Sequence, residues 1–187
     1  MNYQEQLKNW LLSDEQFKEV FTIINKLHLP NAYICGGVIR DYVWNKKHDL
    51  PSSLLFGNID VFYYDSNESN EQYLIRQTMI NQNYSKYLWN LTNTALKDRR
   101  ETKLKLHKNI ESTLKQFPET CSSVAVNYDQ AHNLTIIAPY GLEDLFELKI
   151  KPTPTFRKGQ INYQTYKQRV KRKEWSKKWN KLIILDE

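Results

Sequence analysis

The feature that most constrains this chain is a pair of adjacent glycines set between two runs of opposite character. Ala32-Tyr33-Ile34-Cys35 reads as an apolar strand, Gly36 and Gly37 follow, and Val38-Ile39-Arg40-Asp41-Tyr42-Val43-Trp44 has helical character. Glycine lacks a Cβ, so the backbone can bend sharply there and admit a ligand closely. The helix after the bend offers free N–H groups suited to a phosphate. A polar loop from Lys46 to Gly57 then leads to a second strand, Asn58-Ile59-Asp60-Val61-Phe62-Tyr63-Tyr64-Asp65. Alternation along that strand places Asn58, Asp60, Phe62 and Tyr64 on one face, and Ile59, Val61 and Tyr63 on the other. Asp60 lies between two apolar neighbours, where a carboxylate is expensive unless it meets a cation, a donor or water. A phosphate cradle beside a strand-borne carboxylate suits metal-dependent chemistry on a nucleotide.

The remaining chain supplies more strands and helices. Apolar residues from Leu7 to Leu27 recur at three- and four-residue steps, which predicts helices over 3–12 and 14–28, the second opened by a Ser13/Gln16 capping box. His28, at the end of the second, reads as a helix C-terminal cation. A helix over 71–81 and a short strand over 87–91 follow. The stretch from Thr92 to Leu114 is mostly charged, with a solvated helix face and a basic RNA-binding surface as its two readings. Pro118 ends it. Val124-Ala125-Val126 and Thr135-Ile136-Ile137 predict an antiparallel pair over 122–128 and 134–138. Leu142 to Leu145 reads as a helical turn, 148–150 as a strand and 155–160 as an extended linker. The tail from Asn162 spaces tyrosines and tryptophans at helical steps among lysines and arginines. It predicts an amphipathic helix docked on the domain with its cations outward; a grip on a polyanion is the alternative. These features divide the chain into a domain over 1–150 and an appendage over 151–187.

Composition excludes several classes. With 187 residues, of which 40% are apolar and 13% aromatic, the chain can bury a substantial core. A net charge of +6 points mildly to an anionic partner. Cys35 and Cys121 lie far apart without metal-ligand spacing and read as buried thiols of a reducing cytoplasm. Four histidines without ligand spacing argue against zinc, no Ser/His or Cys/His triad is present, and no apolar run is long enough for a membrane span.

Gly36-Gly37-Val38-Ile39-Arg40-Asp41 followed by Asn58-Ile59-Asp60-Val61 resembles the first motif of nucleotidyltransferases of the polymerase-β-like superfamily, in the form found in CCA-adding enzymes. Further pieces are similar to a family of small bacterial nucleotidyltransferase-like proteins. These are Trp89 with Asn93-Thr94-Ala95, Phe117-Pro118-Glu119-Thr120, Ala138-Pro139-Tyr140-Gly141-Leu142-Glu143-Asp144-Leu145-Phe146, Lys151-Pro152-Thr153-Pro154, and Lys173 and Trp175 with Trp179. The resemblance implies an α/β (α+β) fold, a mixed β-sheet with helices packed around it. It also implies transfer of a nucleotidyl group from an NTP to an acceptor such as RNA or protein. Gly36, Gly37 and Arg40 would hold the nucleotide, while Asp60 with Asn58 would hold Mg2+ or Mn2+, and Glu119 would be the third carboxylate. Arg40 has a second reading as a partner of Asp41, Asp60 as a buried structural carboxylate, and Glu119 as a partner of Thr120.

One departure from the motif matters. Asn58 stands where the superfamily carries the first metal-binding aspartate, and an amide oxygen without charge binds Mg2+ more weakly. A nucleotide- or RNA-binding protein without transferase chemistry is therefore the competing reading, and a purely structural partner protein a third.

Overall fold

The computed structural model describes residues 2–96 and 109–186. The charged segment 97–108, where a basic surface is one of the readings above, lies outside them.

Two helices open the chain, α1 (Tyr3–Ser13) and α2 (Glu15–Lys26). The cap between them differs from the expected Ser13/Gln16 box. Asp14 accepts from the backbone N–H groups of Gln16 and Phe17, while Ser13 turns back to the Trp10 carbonyl. A carboxylate at this position satisfies two orphan amides and favours the positive end of the helix.

A five-stranded sheet follows in the order β3-β2-β1-β4-β5, with β1 at Tyr33–Cys35, β2 at Asn58–Tyr63, β3 at Leu88–Asn93, β4 at Ala125–Tyr128 and β5 at Leu134–Ile137. Strands β2 and β3 are parallel and the other pairs antiparallel, so the sheet is mixed as the sequence predicts. The parallel pair is bridged by α4 (Asn70–Asn83), which opens on a Ser69/Gln72 capping box. Below it a buried Glu68 accepts from Tyr63, Asn93 and Arg76, so its charge is paired.

Side-chain alternation splits the sheet into two unequal faces. Ile34, Ile59, Val61, Leu91 and Val126 point into the main core, against the N-terminal helices and α3 (Gly37–Lys47). Full burial of each aliphatic side chain stabilises by about 1.5–3 kcal/mol. The opposite face carries Cys35, Phe62 and Ala125, covered among the described residues by Leu114 of the short α5 (Ile110–Leu114) and its neighbours Ile110 and Phe117. Asn58 and Asp60 share this thinly covered face with Phe62. Both cysteines are free and buried, and burial pushes the Cys121 thiol up to about 12.

After α6 (Glu143–Phe146), the strand β6 (Lys149–Ile150) pairs in parallel with a strand absent from the sequence reading, β7 (Ile183–Ile184). The predicted linker over 155–160 is instead folded against the body: Pro154–Phe156 forms a 3-10 turn and Phe156 is buried. The tail helix α7 (Tyr163–Lys173) is also shorter than the aromatic spacing predicts. It ends at Glu174, whose φ is +46°, and Trp175–Lys177 form a separate 3-10 turn. Among the described residues no helix is long and apolar enough to cross a membrane.

The bend has its own signature. Gly36 has φ +68° and ψ −121°, and a Cβ there would come within 3.1 Å of the Phe117 ring. Gly37 has no such φ, and a Cβ there would only touch Arg40 at 3.6 Å. Gly36→Ala is expected to destabilise by about 1–3 kcal/mol in urea unfolding. Gly37→Ala, at an ordinary helical position, should stay within about 0.5 kcal/mol of wild type or stabilise slightly. Equal effects would contradict the assignment of the bend to Gly36.

Candidate active site

The strand, the bend and the tail converge on a cleft of about 480 Å3. Gly36, Gly37 and Arg40 line one side, Asn58 and Asp60 the floor, Ser52 to Leu54, Phe56 and Gly57 the loop side, and Arg169, Lys173 and Lys178 the remaining wall. Of the site residues expected from the sequence, five therefore share one cavity. The loop after α3 borders it, with Phe56 almost fully exposed.

Arg40 pairs with Asp41, as its structural reading has it, and also lines the cleft. Its guanidinium is buried and donates to Asp41 Oδ1 from Nε and Nη2, at 2.9 and 2.6 Å, and to Ser122 Oγ from Nη1 at 2.9 Å. It also lies 5.0 Å from the Trp44 ring centroid and 4.6 Å from that of Trp175. Both contacts suit a cation over an aromatic face. Arg40 is thus a fixed positive charge in the cleft wall, with its orientation set before any ligand arrives.

Asp60 is half-buried and accepts at Oδ1 from the Asn90 side chain at 2.7 Å. Asn90 sits opposite Asp60 in the parallel β2–β3 register. Burial raises the Asp60 carboxyl above the ordinary aspartate value, opposed by the Asn90 hydrogen bond and by the charges of Lys173, Arg169 and Arg40. Asn58 is exposed at the start of β2.

Glu119 does not join this group. It is fully buried, receives a hydrogen bond from Arg169 Nε, and is absent from the cleft lining. Its second oxygen has no hydrogen-bond partner among the described residues. This position anchors Arg169; it does not present a third carboxylate to a metal. Nor does Glu119 bond its neighbour Thr120, whose hydroxyl donates to Asp144.

The tail departs most from expectation. Its cations were expected to face outward, yet Arg169 and Lys173 enter the cleft from α7. Both lie on the same helical face as the buried Tyr166, three and seven residues earlier, and that spacing was the available signal. The tail is clamped along one stripe of α3. Trp44 meets Trp175 and Trp179 edge-on at 5.8 and 5.1 Å. The Trp179 indole N–H donates to Asn45 Oδ1 at 3.0 Å, and His48 Nε2 accepts from the Lys181 N–H at 3.1 Å. Burial lowers the Lys173 ammonium below its ordinary value, helped by Arg169, Arg40 and Arg172 and opposed by Asp41.

Among the described residues no three His, Cys, Asp or Glu side chains converge as a metal-binding group. A divalent ion alone would meet two carboxylates, Asp41 already paired with Arg40 and Asp60 already hydrogen-bonded on one oxygen, amid several cations. Nucleotide phosphates change that balance, because Mg2+ is commonly held by one or two carboxylates plus substrate oxygens. The donor set fits an ion that enters with its nucleotide, and Asp60 and Asn58 would hold it.

No curated protein sequence matches the chain. Among solved structures, an NMR structure described as revealing a CCA-adding enzyme head domain matches with a TM-score of 0.86 at 23% identity, over 98% of this chain and 96% of that one. The Thermotoga maritima CCA-adding enzyme complexed with tRNA matches at a TM-score of 0.60 and 14% identity, over 96% of this chain and 42% of that one. A CCA-adding enzyme complexed with CTP matches at 0.57 and 15%, over 96% and 43%. This chain therefore spans less than half the length of those two enzymes, with which it shares a fold. The model of a family described as nucleotidyltransferase matches residues 22–184, and the chain belongs to that family.

Proposed function

We propose that the cleft binds a nucleoside triphosphate and that the protein transfers its nucleotidyl group to a hydroxyl of an RNA or protein acceptor. The acceptor hydroxyl oxygen forms a bond to the α-phosphorus and releases its proton to solvent, the bond from that phosphorus to the α–β bridging oxygen breaks, and pyrophosphate leaves with the electron pair. The observation that carries this reading is that the glycine bend, Arg40, Asn58 and Asp60 line one cavity. The N–H groups at the start of α3 and the Arg40 guanidinium would orient the phosphates. Asp60, on the strand beside them, would hold the divalent ion together with Asn58. When bound, Mg2+ or Mn2+ supplies positive charge to the transferring phosphate and lowers the pKa of the acceptor hydroxyl. Structures of similar fold bound to tRNA and to CTP support RNA and NTP as ligand classes. Two buried free thiols support a reducing cytoplasm as the setting.

A second reading, nucleotide binding without transfer, is favoured by Asn58 and by the hydrogen bond that already engages Asp60. Incubation with each of the four labelled NTPs and a divalent ion separates the two. The transferase reading predicts label in an acceptor fraction, lost with Asp60→Ala, whereas nucleotide binding with no label from any NTP supports the second reading. Asn58→Asp restores a second charge and is expected to raise transfer at least about tenfold, since charge placed at the transition state commonly contributes that much or more.

A stability signature accompanies it. A carboxyl whose folded pKa is raised costs stability when ionised. The cost is absent below its unfolded pKa, grows as pH rises, and is complete above the folded value. Asp60→Asn should therefore raise the melting temperature at pH 7 and leave it unchanged near pH ~3, below the ordinary aspartate range. A drop at pH 7 would mean that the ionised carboxylate stabilises the fold.

A further inference from the structure

The cleft is lined by four cations, Arg40, Arg169, Lys173 and Lys178, against two carboxylates, Asp41 and Asp60. Two of the cations have their own partners: Arg40 pairs with Asp41, and Arg169 with the buried Glu119 behind the wall. Lys173 and Lys178 have no ion pair among the described residues, although Asp41 and Asp60 line the same cavity. Lys178 lies over the Trp179 ring, 4.5 Å from its centroid, which fixes its stem without neutralising its charge. Partial burial, then the like charges of Arg169, Arg40 and Arg172, lower the affinity of Lys173 for a proton. Each feature depends on the tail being held to α3 by Trp175, Trp179 and Lys181, as described above.

We infer that Lys173 and Lys178, backed by the Arg40 and Arg169 guanidiniums, hold a polyphosphate chain in the cleft without needing a divalent ion. The ligand class is a linear polyphosphate, inorganic or carried by a nucleoside. The inference deepens the reading of the cleft as a nucleotide site and rests on it for location only. Guanidinium and ammonium groups bind phosphate oxygens by charge-assisted hydrogen bonds, and a site already populated by them requires less charge from a metal. The tail thus acts as the anion-binding wall of the site.

Inorganic tripolyphosphate, which has no nucleotidyl group to transfer, is the probe, with ATP in parallel to show what the nucleoside adds. Calorimetric titration of the full chain is expected to show tripolyphosphate binding in EDTA, not tightened by Mg2+. Lys173→Gln with Lys178→Gln should weaken it at least tenfold; both side chains are exposed, and an unchanged melting temperature confirms folding. Asp60→Asn, which removes a negative charge from the same cavity, should leave affinity unchanged or tighten it. Binding that requires Mg2+, is lost with Asp60→Asn, or is untouched by the double lysine variant would overturn the inference, as would no binding at all. The two readings fail separately. Tripolyphosphate binding without label transfer removes only the transferase, while transfer with chelator-sensitive binding removes only the metal-free grip.

Discussion

The Arg40 guanidinium is the contact on which the site's construction depends. A buried cation is costly unless all sides of it are satisfied. Here Asp41, Ser122 and the rings of Trp44 and Trp175 each take one part of it. Those partners come from α3, from the segment before β4, and from the tail. Meeting the needs of one charge therefore ties together the bend, the sheet and the C-terminal arm. It also fixes a positive group beside the Gly36 turn, which gives that side of the cleft a charge independent of any ligand.

The sheet contributes the opposing requirement. Alternation commits Ile59 and Val61 to the main core, so Asp60 must face the other side. Among the described residues that face is covered by a small cluster around Phe62, Phe117 and Leu114. The result is a carboxylate shielded enough to be raised in pKa, yet open to a cavity lined by cations. A thinly covered sheet face would be a defect in a purely structural protein. Here it is where the polar groups gather.

Much of this was legible because the strongest signals were local. The glycine bend and the alternation of β2 depend on neighbours within a few residues, and each stands where expected. The five residues named from Gly36 to Asp60 share one cavity for the same reason. What escaped the sequence depends on long-range partners. Glu119 was read as a third carboxylate, but its fate is set by Arg169, fifty residues later. Asn90 becomes visible only through the parallel register with Asp60. Strand β7 has two residues and exists because β6 offers it an edge. The tail's cations were assigned to solvent because basic residues usually face it. Its tryptophans dock on α3 at Trp44 and Asn45, and Arg169 and Lys173 enter the cleft.

The chain matches CCA-adding enzymes over less than half their length, and its own tail closes one side of the cleft. The central claim is that this cleft, and no other surface, receives a nucleoside triphosphate. It is tested most directly by two-dimensional NMR titration of the labelled protein with a non-hydrolysable NTP and Mg2+. The account predicts shifts confined to the amides of the bend, the start of β2 and the cleft-facing residues of α7 and the following turn. Shifts centred on the second cavity, beside Arg76 and Met79 of α4, or no saturable shifts at all, would contradict it.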